Sequence, residues 1–184
     1  MLIDITLKIT PKMATDAQGN EKITLAGHLG THFDVMNKEF PLEYTKRKAV
    51  VFDVSAINDR DIEASDIDIS KVEKDIFVAF YTGYIHRFEY GTKEYFKGHP
   101  QLSLVLIDQL LEKGVSIIGI DCAGVRRGAE HTPTDQYCAD RGAFVVENLY
   151  NLAAVCGKDN LTIHTYPMSY AEMSGLPCRV VAEV

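Results

Sequence analysis

Several things are missing from this chain. It has no Cys-x-x-Cys pair, no apolar run long enough to span a bilayer, no early apolar segment of the secretory kind, no low-complexity tract and no surplus of basic charge. Each absence removes a class of function. Cys122, Cys138, Cys156 and Cys178 are scattered, which excludes a zinc-finger set. In a reducing compartment they read as small buried hydrophobes, with a thiol nucleophile at Cys122 or Cys138 as the minority alternative. Without a signal peptide or membrane helix, the expected location is the cytoplasm. A net charge of −7 argues against nucleic acid or an anionic membrane as partner, since both demand a basic footprint. Lys46-Arg47-Lys48 therefore reads as solvated surface.

What is present is ordinary for a globular chain: 184 residues, 46% hydrophobic and 24% charged, enough for one well-buried domain and short for two. Alternation at Leu2–Ile9 predicts a half-buried strand. Residues 10–19 read as a loop, and a strand is expected from about Lys22 into the histidines that follow. Residues 41–48 read as a charged connection. Interior strands are expected at 49–54, 75–83, 115–121 and 143–147, where β-branched and apolar residues run together. A short helix is placed near Ser70, and residues 84–99 read as an ordered loop. Pro100 to Lys113 predicts a helix, with Leu102, Leu106 and Leu110 at helical spacing and Gly114 as its stop. Thr132-Pro133 reads as an N-cap and first helical residue of a helix through Asp140. Leu149, Leu152 and Val155 repeat at helical spacing, and the last strands are expected at 161–166 and 179–182.

The chemistry concentrates in Gly27-His28-Leu29-Gly30-Thr31-His32-Phe33-Asp34. Two imidazoles and a carboxylate are a ligand set for a divalent ion. His28, His32 and Asp34 share one parity, so an extended strand would point all three to one face. At roughly 3.3 Å per residue, however, a straight strand holds the imidazoles about 13 Å apart, too far to share one ion. A bend at Gly30-Thr31 resolves this, so the stretch reads as a kinked strand carrying a metal site.

His28-x-Gly30-Thr31-His32-x-Asp34 resembles the signature of the metal-dependent cyclase or kynurenine-formamidase-like hydrolase family, which runs His-x-Gly-Thr-His-x-Asp-x-Pro-x-His. The chain departs at Met36, in the place of the Pro, and at Lys38, in the place of the last His. In amide-hydrolysing members that His carries protons. A second segment, Val145-Val146-Glu147-Asn148-Leu149, resembles the one in which a Glu, with a distant His, completes a two-metal centre. The family spacing back from Glu147 lands on Asp135; His131 lies four residues earlier, and both stay open as the remaining ligand. Asp135 would make that half more oxygen-rich and favour manganese, magnesium or iron over zinc.

The resemblance implies one compact α/β domain around a mixed, barrel-like sheet with few helices, of the swivelling β/β/α type, and about seven strands and three helices can be counted. It implies one or two divalent ions, zinc first, on His28, His32, Asp34 and Glu147 with Asp135 or His131. It further implies hydrolysis of a small amide, lactam or ester, a homodimer or higher homo-oligomer, and Lys38 as proton carrier. An ordinary lysine titrates near ~10.4 and would need its pKa pushed down; Lys38 could instead neutralise the extra charge of Asp135. Tyr81, Tyr84, His86 and His99 are the expected substrate-side residues. The alternative is a relative, altered at Met36 and Lys38, that binds a small ligand or serves as a scaffold.

Overall fold

The four apolar runs become parallel neighbours at the centre of the sheet. The computed structural model describes residues 1–184, apart from the side chain of Lys22. In it β3 (Lys46–Asp53), β4 (Phe77–Tyr81), β5 (Ile117–Ile120) and β6 (Phe144–Glu147) lie side by side and parallel. Helix α5 (Leu104–Glu112) links β4 to β5, and α6 (His131–Ala139) links β5 to β6. The other ladders are antiparallel. β2 (His32–Asp34) joins β6 to β8 (Gly175–Glu183), β7 (Thr162–Pro167) pairs with both β3 and β8, and β1 (Leu2–Asp4) flanks β8. The pairing of β7 with β8 closes seven strands into a mixed barrel, with β1 outside the ring.

Strand parity sorts the core into two compartments. On β4, Phe77 and Ala79 join Phe33, Val51, Phe144, Val146 and Val180 in one cluster. The alternate residues Val78 and Phe80 join Phe52, Ile118, Val145 and the buried face of α5, Leu106, Ile107 and Leu110, in the other. Strands buried on both faces explain why these segments read as continuous apolar runs. Each fully buried Phe, Ile or Leu contributes about 1.5–3 kcal/mol.

Several sequence expectations need correction. Only Leu2–Asp4 of the first run enters a ladder. Beyond it single backbone bonds remain at Ile5, and hydroxyls join the pairing: Thr6 Oγ1 accepts from Val180 N at 2.8 Å and Thr31 Oγ1 from Leu7 N at 2.8 Å. The alternation survives in buried Ile5 and Leu7. Residues 10–19 contain α1 (Pro11–Asp16), capped by Thr10 and with Pro at its first turn, the same signature credited at Thr132-Pro133. No strand leads into the histidines; α2 (Glu21–Thr24) and a turn do. The 41–48 connection holds a 3-10 turn at Leu42–Thr45 and the start of β3. The expected short helix near Ser70 is a 3-10 turn, Ile69–Lys71. The 84–99 loop contains α3 (Tyr84–Arg87) and α4 (Lys93–Gly98). Helix α5 starts after Ser103, because Gln101 and Ser103 bond Ile62 through their backbones. The 148–155 repeat yields only the 3-10 turn Leu152–Ala154, and β8 begins at Gly175, four residues before the expected start.

Candidate metal centre

Register brings the two motifs together. β2 and β6 pair antiparallel with His32 opposite Glu147 and Asp34 opposite Val145. Phe33 and Val146 point into the barrel cluster, so His32, Asp34 and Glu147 share the other face. His28 reaches them from the turn before β2. Gly27 (φ +85°) makes that possible, since a Cβ there would lie 2.0 Å from the carbonyl oxygen of Gly175. Gly30 (φ +72°) supplies the bend, at the position the sequence indicated.

Helix α6 completes the group. It begins at His131, two residues earlier than expected, so Thr132 lies inside the helix rather than capping it; this places His131 and Asp135 one turn apart on the face toward β6. Both residues left open by the sequence are therefore at the site. Two groups have ligand atoms all within 4.8 Å of one another: His28, His32 and Asp34; and His131, Asp135 and Glu147. His28 Nδ1 lies 3.0 Å from both Asp34 Oδ1 and His32 Nε2. Glu147 spans the groups, with Oε2 3.6 Å from His32 Nε2 and Oε1 3.6 Å from His131 Nε2. His131 Nε2 lies 3.5 Å from Asp135 Oδ2.

The outer ring nitrogens show which way the inner ones face. His32 Nδ1 is 2.8 Å from the Gly30 carbonyl and His131 Nδ1 3.1 Å from the Arg126 carbonyl. A carbonyl only accepts, so both Nδ1 atoms carry hydrogen, and each ring in its neutral form aims an Nε2 lone pair at the carboxylates. His28 Nε2 sits 2.9 Å from Ser174 Oγ, leaving Nδ1 directed inward. Imidazoles held by an outer oxygen with the inner nitrogen turned toward shared carboxylates are arranged as ligands.

The carboxylates point to a cation as well. Asp34, Asp135 and Glu147 are buried, and Asp34 Oδ2, Asp135 Oδ1 and Glu147 Oε1 have no hydrogen-bond partner. Burial first, and then the Asp34 charge, pushes the Asp135 and Glu147 carboxyls well above their usual range. Burial would raise Asp34 too, but the neighbouring His32 charge and bonds from His28 and His32 hold it below normal. For His32, burial opposes charging and the Asp34 carboxylate outweighs it, so its pKa is raised. Buried acids facing one another with unpartnered oxygens call for positive charge between them. A divalent ion fits this donor set.

A brace fixes the geometry. Asn148, at φ 56°, donates from Nδ2 to the Gly30 carbonyl at 2.9 Å and accepts from Tyr95 Oη at 2.7 Å. Thr31 Oγ1 donates to its carbonyl at 2.7 Å. Sequence reasoning missed this residue as a brace, together with Ser174 and Arg127 on the cavity wall. Asn is the side chain that best tolerates a left-handed backbone, and that was the available signal.

With this geometry in view, similarity to known proteins becomes informative. Residues 3–127 match the Cyclase family model. The chain belongs to the cyclase family. No curated protein matches its sequence significantly. Among solved structures, this cyclase-family chain is similar to a potential metal-dependent hydrolase with cyclase activity, at 22% identity and TM-score 0.75 over 99% of this chain and 96% of that one. A predicted metal-dependent hydrolase from Bacillus stearothermophilus gives 22%, 0.73, 99% and 97%. Isatin hydrolase A from Labrenzia aggregata, bound to benzyl benzoate, gives 17%, 0.77, 99% and 93%. These likenesses show the fold, an α/β domain with a closed mixed barrel.

The remaining candidate residues are dispersed. A cavity of about 620 Å³ opens over the six donors and is lined also by His99, Arg127, Met36, Phe96 and Ser174. Of the expected substrate-side residues, His99 alone lines it. Tyr84 is buried with its hydroxyl on the Glu94 carbonyl, His86 stacks edge-on against Tyr150, and Tyr81 lies against the barrel cluster. Lys38 is outside the cavity wall, its ammonium 2.7 Å from Asp140 Oδ1 at the surface. The chain turns at Met36 (φ 56°) directly after β2 and leads Lys38 to α6's outer end, so it does not offset the Asp135 charge.

Proposed function

We propose that this protein is a metal-dependent hydrolase of a small amide, lactam or ester. One observation carries the reading: six donors from two distant motifs converge, with three buried carboxylate oxygens lacking any partner. A divalent ion held there would supply Lewis acidity to polarise a carbonyl and acidify water. The chain's own residues bind and orient. His28, His32 and Asp34 would hold one ion, and His131, Asp135 and Glu147 a second; Glu147 lies 3.6 Å from both His32 and His131. Three imidazoles favour zinc, and three carboxylates admit manganese, iron or magnesium. Fold likeness to isatin hydrolases favours a lactam, since isatin is a cyclic amide. His99 donates Nδ1–H to the Pro100 carbonyl at 2.9 Å, which holds its buried ring in the cavity wall. Four free cysteines support a reducing, cytoplasmic setting, and exposed Leu2, Tyr166 and Met168 support a homodimer, which size-exclusion chromatography checks. No helix among the described residues is long and apolar enough to cross a membrane.

A second reading, a ligand-binding relative without turnover, is favoured by the position of Lys38 outside the cavity. Stripping the protein with chelator and reloading it with zinc or manganese tests both. Tight uptake of one or two ions, with chelator-sensitive hydrolysis of isatin, an aryl formamide or an aryl ester, supports the hydrolase. Uptake without turnover supports the binder, and no uptake overturns both.

A further inference from the structure

Two successive arginines behave differently. Arg126 is buried and fully engaged: Asp61 Oδ2 lies 2.6 Å from Nη1, the Leu102 carbonyl 2.7 Å from the same nitrogen, and Glu130 accepts from Nε at 3.0 Å. Arg127 is half-buried, lines the cavity over the metal donors, and has no carboxylate within 4.0 Å among the described residues. Its guanidinium makes one long contact, 3.3 Å from Nη1 to the Lys97 carbonyl, while its backbone N–H is held at 2.8 Å by Gln101 Oε1. An arginine with a fixed backbone and uncommitted donors on a pocket wall is suited to a bidentate oxyanion.

Its surroundings add positive potential. A 3-10 turn, Gly128–Glu130, runs directly into the nine-residue α6; no side chain caps the start of either, and Gly128 and Thr132 also line the cavity. The free N–H groups of a helix start attract anions. Charge balance points the same way. The donors include three carboxylates, and two divalent ions would leave the floor at +1; Arg127, the one arginine or lysine of the cavity lining, makes it +2. An anionic substrate is drawn into such a cavity and a neutral one is not.

We propose that Arg127, with the uncapped start of the turn that leads into α6, forms a carboxylate-binding subsite, so that the substrate is a small amide, lactam or ester bearing a carboxylate. The proposal rests on the hydrolase reading for the bond that is cleaved and for the metal charge of the floor, though not for the anion that Arg127 binds. The test uses metal-loaded protein and a matched ester pair, 3-acetoxybenzoate and 3-acetoxybenzamide, which differ only in the carboxylate. The benzoate is expected to lead at least tenfold in kcat/KM, mainly through KM, with the lead shrinking at high salt. R127Q brings the ratio to about one, and R127K retains part of it. Calorimetric binding of benzoate against benzamide to the same proteins separates the two ideas. If neither ester is cleaved but benzoate binding still depends on Arg127, the hydrolase reading fails and the subsite stands. Equal handling of both compounds, or a preference that survives in R127Q, overturns the subsite. Thermal melting of both variants shows that each is folded.

Discussion

The two halves of the donor cluster are built in opposite ways. His28, His32 and Asp34 come from one short segment, and a bend at Gly30 suffices to gather them. His131, Asp135 and Glu147 come from a helix and a strand, joined only because α6 packs on β6. The first half is therefore a local motif, and the second is a product of the fold. Glu147 belongs to the second half but touches the first through His32, so it is the point where the comparison breaks most sharply.

Glu147→Gln should have the largest effect. It removes the carboxylate shared by both halves, and hydrolysis should fall by about 10³-fold or more. The same change relieves buried charge repulsion, so the metal-stripped variant should melt higher than metal-stripped wild type while the loaded one melts lower. Calorimetry with and without metal reads both signs. Next come His28→Ala and His131→Ala, which separate the halves. Each should lower metal stoichiometry by about one ion with the other retained, read by elemental analysis. Loss of both ions from either variant would show that the halves act as one site.

A smaller effect concerns His99, on the cavity wall outside either half. Burial holds its imidazole at about 4, against about 6.5 in an unfolded chain. The unfolded state thus binds the extra proton first. Stability is full above about pH 6.5 and drains as pH falls toward about 4, by about 3 kcal/mol. Urea denaturation across that range should show a slope that His99→Asn flattens. Smallest is Lys38→Met, which breaks an exposed pair worth under about 1 kcal/mol. Activity within twofold of wild type is expected; a hundredfold loss would return Lys38 to the reaction.

The comparison also explains what was legible. Thr10-Pro11 carried a true cap and helix start, hidden by the polar composition of residues 10–19, whereas the same pair at Thr132-Pro133 falls inside a helix that starts at His131. The strand expected before His28 failed because nothing local reveals that Gly27 must meet the Gly175 backbone. The 84–99 segment lacked a helical period, yet Thr92 caps α4 and buries Tyr95 beneath the site.

By itself the sequence determined the central parallel strands, the apolar face of α5, and the identity of the donors near Gly30, because hydrophobic period and local ligand spacing are short-range properties. Only the tertiary structure decided that Glu147 faces His32, that His131 and Asp135 both join it, and that Lys38 turns away. Those outcomes depend on strand register and helix phase: a shift of one residue turns every side chain of a strand to the other face and swings those of a helix by about 100°.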